Sequence, residues 1–405
     1  MLKGGEKVKA KIVYVALALV LAFSLAAVIV PASPAQAATL CVNPSGTGGC
    51  YSSIQAAIDA ANPAGGDTIV VAAGTYNENV IVSVANLTLR GANEGKSAGA
   101  NPETRGSESI IIGGITIQFN DVVIDGFRID STGSSGIYIN GGTSGHTISN
   151  NVVYGPGIGV NARGIEFSSS TSNIVVSDNE FTNWMSGIYV GPSSNNDLEV
   201  TGNDFHDNLV GIGSDGLNNV SIQNNDFSGN TAEGFGCSNV GTNVQAHNNN
   251  FYLSNNAGIN NYFSDPSAQI IDATDNWWGH ATGPYDGSDD IGGWYNPLGQ
   301  GVPVSDKVKY EPYRVEEVDG GGGCFIATAA YGTASAAEID VLRAFRDEVL
   351  LESTVGSQLV DFYYEVSPPV ADFISENDVL RTLVRELLVD PIASLVEATE
   401  TLWQD

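Results

Sequence analysis

Positive charge is scarce in this chain. Its 405 residues carry 16 lysines and arginines against 46 aspartates and glutamates, a formal net charge of −30. That balance excludes nucleic acid as a natural partner, because phosphate binding needs a cationic face. Between Thr116 and Gln269 the only basic residues besides histidine are Arg128 and Arg163. Cysteine is sparse as well: Cys41, Cys50, Cys237 and Cys324 form no Cys-x-x-Cys pair and no cluster with histidine, which argues against a zinc site. Methionine occurs twice, and only 15% of residues are charged. Beyond Val30 no apolar run is long enough to cross a bilayer. Glycine, by contrast, is abundant at 48 residues, which suits a turn-dense all-β protein better than a helical one.

The first 37 residues read as an export signal. Lys3, Lys7, Lys9 and Lys11 precede an apolar stretch from Ile12 to Val30, and Ala35-Gln36-Ala37 supplies a small-residue cleavage site. The alternative is an uncleaved anchor, since the apolar stretch is long for a signal. Cleavage removes four lysines and one glutamate and takes the net charge from −30 to −33. Export permits disulfides, and Cys41 and Cys50, which flank a glycine-rich loop, are expected to pair. The predicted location is extracellular or at the cell surface.

Ser52 with Gln55 reads as a capping box for a short amphipathic helix carrying Ile54, Ala57, Ile58 and Ala61, placed to cover the open end of a solenoid. The chain then repeats. Asn151, Asn179, Asn203, Asn225, Asn249 and Asn276 each close a short β-branched run, at spacings of 28, 24, 22, 24 and 27 residues. A second mark keeps phase with them: Gly136-Ile137, Gly164-Ile165, Gly187-Ile188, Gly211-Ile212, Gly234-Phe235 and Gly258-Ile259. A period of this length fits one coil of three short strands, and the alternation in Leu198-Glu199-Val200-Thr201 puts one face inside and one outside. Columns through Val176, Val200 and Ile222, and through Phe181, Phe205, Phe227 and Phe251, are expected in the core. A leucine-rich horseshoe has an overlapping period but needs leucines at fixed positions, which are missing here. The aligned asparagine is expected at the bend between strands, where its amide can satisfy its stacked copies and the turn backbone. It reads as a structural ladder.

These repeats, with Ile54-Gln55-Ala56-Ala57-Ile58-Asp59-Ala60-Ala61 and Gly74-Thr75-Tyr76 before them and Asp275-Asn276-Trp277-Trp278-Gly279 after, resemble the pectin-lyase-like β-helix superfamily, nearest to its NosD-like and surface β-helix proteins. The resemblance implies a right-handed parallel β-helix over residues 38–315, clearest over 116–284. It does not imply an activity. Of the residue set shared by related polygalacturonases the chain has Asp289-Asp290 and only Ser144-Gly145-His146-Thr147 in place of a Gly-His-Gly, and lacks the others; no methylesterase pattern is seen, and Arg128 and Arg163 alone could serve as a lyase base between Thr116 and Gln269. A glycine-rich linker over 316–323 leads to a helical module over 324–405. Its opening Cys324-Phe325-Ile326-Ala327-Thr328-Ala329-Ala330-Tyr331-Gly332 resembles the CFI-box domain found behind varied secreted prokaryotic proteins. Helices are expected after Ser335, after Ser367-Pro368, around Leu380 to Leu388, and after Asp390-Pro391. Cys324 at the module's edge is either a modifiable thiol or a buried one.

Candidate chemistry lies in outward columns. Glu180, Asp204 and Asp226 follow the ladder asparagine in three successive coils, so neighbouring carboxylates come roughly 5 Å apart. His206 and Asp207 are close by. The column fits a calcium site, an acid/base pair for glycoside hydrolysis with Arg163 beside it, or a solvated acidic stripe. Outward aromatics form a second candidate: Tyr138 and Tyr189, with Glu166 between them and Trp184 nearby, could stack on sugar rings. Trp277, Trp278 and Trp294 are assigned to packing the end of the solenoid. The leading expectation is a non-catalytic β-helix protein, needing no cofactor beyond calcium at most, that contacts polysaccharide or another envelope component. A lyase or hydrolase and a plain structural spacer are the alternatives. An Arg163 protruding beside the acidic column would favour the enzyme, and a packed or distant one the binder.

Overall fold

The computed structural model describes residues 37–100, 102–168, 170–192, 196–252, 257–262, 269–288 and 294–318, and in the C-terminal part 325–331, 339, 341–342, 345–350, 363, 370, 374 and 378–399. The expected leader and Cys324 lie outside the described residues.

From Thr39 to Lys309 the chain winds into a right-handed parallel β-helix of three sheets. Sheet A has eleven strands, and sheets B and C have eight each, all paired parallel. One coil illustrates the order: Ser172–Ser177 lies in sheet A, Glu180–Thr182 in sheet B and Ser186–Val190 in sheet C. Both expected core columns are fully buried. Phe181, Phe205, Phe227 and Phe251 stack face to face at 4.9–5.0 Å, and Trp278 closes the stack 4.9 Å beyond Phe251. Cross-coil stacking at this spacing follows from the strand repeat, since equivalent residues sit one coil apart.

The glycine of each Gly-Ile mark has a packing reason. A Cβ on Gly211 would meet the carbonyl oxygen of Gly234 at 2.5 Å and Phe227 Cδ1 at 2.8 Å. A Cβ on Gly187 would meet Gly211 O and Phe205 Cδ1, both at 2.8 Å. The phenylalanine rings occupy the volume that any side chain at the glycine column would need.

The asparagine ladder forms as expected. Asn203 Nδ2 donates to Asn225 Oδ1 at 3.0 Å and to Val176 O at 2.9 Å, while Asn203 Oδ1 accepts from Asn179 Nδ2 at 2.9 Å and Asn179 N at 3.0 Å. The same bonds run from Asn151 through Asn249 to Asn276. The left-handed residue is the one before the ladder asparagine: Asn150, Asp178, Gly202, Asn224, Asn248 and Asp275, with φ of 54–67°. The ladder residue contributes amide bonds rather than the strained dihedral.

The N-terminal helix, Ile54–Ala60, is capped one residue later than its sequence suggests. Ser53 accepts from Ala56 N at 3.2 Å, and Gln55 turns away to bond Ile81. Glu78, from the loop after a neighbouring strand, takes the N–H groups of Ile54 and Gln55 at 2.8 and 2.9 Å, so a carboxylate meets the positive end of the helix. Cys41 and Cys50 are disulfide-bonded across the adjacent loop. Residues 91–100 form a strap along the ladder turns, where Ala98 N donates to Asp178 O and Ala100 N to Gly202 O.

The described C-terminal residues are helical, with Ala327, Ala330, Ile339 and Val389 in a small core. The two last helices expected from sequence are one run, Asp378–Val384, Arg385–Val389 and Asp390–Thr399, continuous through Pro391. A π-turn at Arg385–Val389, in which Asp390 N donates to Arg385 O, rearranges the backbone bonding just ahead of the proline and lets the helix continue.

Candidate functional site

Sheet B carries the acidic column. Glu180, Asp204, Asp226 and Asn250 occupy one register position in successive coils, as the spacing implied. Their side chains do not converge. Glu180 Oε1 bonds His206 Nε2 at 3.1 Å, and Asp226 Oδ1 accepts from Asn250 Nδ2 at 2.7 Å. His206 Nδ1 meets Asp207 Oδ2 at 3.1 Å. Among the described residues no group of three or more His, Cys, Asp or Glu side chains is arranged to hold a metal ion. Asp204 keeps some solvent-accessible surface yet is hemmed in by protein. Burial pushes its carboxyl up to about 6, with Glu180 and Asp207 adding to the rise and His206 opposing it. Burial alone would lower the His206 imidazole. The charge of Asp204, the bonds to Asp207 and Glu180, and the Glu180 charge outweigh it and raise the group to about 11. His206 is therefore an imidazolium held between carboxylates.

Arg163 does not reach this column. It starts the strand Arg163–Phe167 in sheet C, where its guanidinium lies over the ring of Tyr189 at 4.0 Å and pairs with Glu166 Oε1 at 3.5 Å. Its Nε is buried without an acceptor, a consequence of lying against the ring.

Sheet C instead carries the more open arrangement. Tyr138, Glu166 and Tyr189 are in register, and the column continues through Gly213, Gly236 and Asn260. Arg163 rises from the coil before Tyr189 and covers that face of the ring. In the next coil the residue in register with Tyr189 is Gly213, which has no side chain. A Cβ there would find nothing nearer than Ser186 Oγ at 3.2 Å. The Tyr189 hydroxyl donates to Asp215, and burial together with that bond pushes the phenol up to about 12. One coil further on, Tyr262 leans over Gly236 and donates to Glu233, which also accepts from Asn260 Nδ2 at 2.8 Å. Tyr262 is 53% exposed, whereas Glu233 is 4% exposed. The result is a glycine-floored step between two tyrosines whose hydroxyls are both fixed by carboxylates.

Trp184, grouped with these aromatics by sequence, is fully buried and faces no groove. Its indole N–H donates to Val153 O at 2.9 Å, and its ring packs over Gly136 and Gly155. One coil earlier the phenylalanine column has shrunk to Val153, and the indole fills the vacated volume. Sequence reasoning also missed a second buried asparagine ladder. Asn208 Oδ1 accepts from Trp184 N at 3.0 Å, and Asn230 Oδ1 from Asn208 Nδ2 at 3.2 Å. The signal was available: Trp184, Asn208 and Asn230 each stand five residues after a ladder asparagine. Glu233 and Tyr262 carried no repeat signal at all. Cys237 is buried, and burial pushes its thiol up to about 11, which fits a packing role.

The family model described as "right handed beta helix region" matches residues 113–274. No curated protein sequence matches the chain. Similar solved structures include the pectate lyase Pel9A (14% identity, 68% of this chain and 78% of that one, TM-score 0.42). An alginate lyase from Paenibacillus sp. strain FPU-7 is 14% identical over 68% of this chain and 98% of that one, with a TM-score of 0.38. The pectin methylesterase from Aspergillus niger is 11% identical over 61% of this chain and 86% of that one, with a TM-score of 0.35. Among the described residues no helix is long and apolar enough to cross a membrane.

Proposed function

We propose that this is an exported β-helix protein that holds polysaccharide against sheet C without cleaving it. The observation that carries the reading is Tyr189, stacked on one face by Arg163 at 4.0 Å and next in register to Gly213, which carries no side chain. A ring immobilised in that way presents its apolar face to a pyranose with little ordering left to do on binding. Tyr138 and Glu166 continue the surface in one direction, and Tyr262, Asn260 and Glu233 in the other, so apolar faces alternate with hydrogen-bonding groups along the axis. The packing of Arg163 on sheet C, away from the acidic column, supports binding rather than catalysis. Secretion rests on the N-terminal signal read from sequence, and the CFI-box likeness of the C-terminal module is kept as part of the same proposal.

Affinity electrophoresis of the mature protein through polysaccharide-containing gels tests it. Retardation by a bound polymer is expected to fall about ten-fold in apparent affinity with Tyr189→Ala and to persist with Tyr189→Phe, which keeps the ring. Equal retardation of all three proteins would count against sheet C.

A second reading treats sheet B as a hydrolytic face. Its support is the Asp204 carboxyl, pushed up to about 6 by burial, in register with Glu180 of the adjacent coil.

A further inference from the structure

Sheet A has a groove that the sheet C reading does not use. It has a volume of about 370 Å³ and spans four coils on the outer face of the solenoid. One wall is a row of left-handed residues, Asn173, Asp197, Asn219 and Asn243, with φ of 52–65°. This is a third ladder, and unlike the two buried ones it is solvent-exposed. Asn219 Nδ2 donates to Asp197 and Asn243 Nδ2 to Asn219, so the amides are pre-ordered along the axis. The other wall is the outward column Val175, Glu199, Ser221 and Gln245, in register across the same coils.

Two features of the groove define its occupant. Both walls repeat once per coil, roughly every 4.8 Å, a step close to the advance of an extended pyranose chain. Among the described residues no lysine or arginine lines the groove, while Asp197 and Glu199 do. An anionic chain would meet only like charge there, and a neutral one would find amide, hydroxyl and carboxylate partners in two parallel rows. An apolar helix or strand would have to desolvate those rows without replacing their bonds.

We propose that this groove binds a neutral, extended glycan lying parallel to the solenoid axis, at a site separate from sheet C. Each coil offers the chain one Asx group and one outward side chain. The left-handed dihedrals keep the Asx row at the rim and out of the core, where Ile174, Leu198 and Val220 of the same strands sit. The fold thus produces the array without a dedicated loop.

The test uses the mature full-length protein, isothermal titration calorimetry, and three probes: cellotetraose, xylotetraose and tetragalacturonate. The variants are Glu199→Ala/Gln245→Ala, which strips one wall, Ser221→Tyr, which fills the groove, and Tyr189→Ala on sheet C. The three groove substitutions are at outward positions, and unchanged thermal midpoints verify the fold. A neutral tetrasaccharide is expected to bind the wild type and to lose about ten-fold or more in affinity with either groove variant, and the same groove substitutions are expected to cost the same factor when made in the Tyr189→Ala background, where the sheet C ring is gone. Tetragalacturonate is expected to show no groove-dependent binding. Overturning results are the absence of binding by either neutral probe, binding that ignores both groove variants, or binding lost only with Tyr189→Ala. The sheet C reading fails separately, when Tyr189→Ala leaves every polysaccharide interaction intact.

Discussion

At the residue scale the ladder asparagines carry most of the specificity of this fold. Each amide satisfies a backbone N–H and the amide of the coil on one side, carbonyls within its own turn and in the preceding coil, and an oxygen on the other side, all out of contact with water. Asn203→Ala would leave Asn179 N and Nδ2 without their shared acceptor and strand the carbonyls of Val176 and Thr201. Several buried unsatisfied groups at roughly 1–3 kcal/mol each give an expected loss of about 3–5 kcal/mol, measurable by guanidinium unfolding. A loss under about 1 kcal/mol, the ordinary effect of a surface substitution, would show that the ladder is ornamental. His206 supplies a second test. Its folded pKa is raised to about 11, so its contribution is fully present below the unfolded value near 6.5 and is lost as pH rises towards 11. Asp204 works in the opposite sense for an acid. With its carboxyl raised to about 6, it favours the fold below the unfolded value and opposes it increasingly as pH climbs from about 4 towards 6. An NMR titration is expected to find the His206 ring protonated throughout pH 5 to 8. A midpoint near 6.5 would contradict the carboxylate cage.

At the element scale the repeat was legible because its two marks have separate physical causes. The asparagine marks a turn that must satisfy its own backbone, and the glycine marks the place where a stacked ring takes the room of a side chain. Gly211→Ala tests the second cause. The new Cβ would press on Gly234 O and Phe227, and overpacking of this kind costs about 1–3 kcal/mol or more. The thermal midpoint is expected to drop, and Gly213→Ala, which meets only a serine hydroxyl at 3.2 Å, is expected to change it far less. Equal effects would remove the packing explanation. What the sequence did not disclose has its own reasons. Trp184 belongs to the core because Val153 left a hole one coil earlier, a relation visible only once coils are stacked. Arg163 sits three residues before Glu166 but on a different sheet from Glu180, and linear proximity to the acidic column gave no hint of that. The register of Glu180, Asp204 and Asp226 followed from period alone, whereas their hydrogen-bond partners came from neighbouring columns that a single repeat does not reveal.

On the scale of the whole molecule, a β-helix converts sequence periodicity into parallel rows on three faces, and the rows here differ in kind. Sheet B presents carboxylates caging a histidine, sheet C presents tyrosines and a glycine step, and sheet A presents an exposed Asx row. The acidic balance of the chain is spread over these faces with few cations to oppose it, and both central arginines are engaged with a neighbouring carboxylate, Arg128 with Asp130 and Arg163 with Glu166. A surface of that kind is poorly matched to phosphate-rich partners. The central claim, binding at sheet C without cleavage, is tested most directly by incubating the mature protein with a polysaccharide that it retards in affinity gels. New reducing ends and unsaturated products are then followed with and without calcium. The account predicts sustained binding, weakened by Tyr189→Ala, and no product under either condition. Product that accumulates with the wild type and disappears with Asp204→Ala would contradict it and make sheet B a catalytic face.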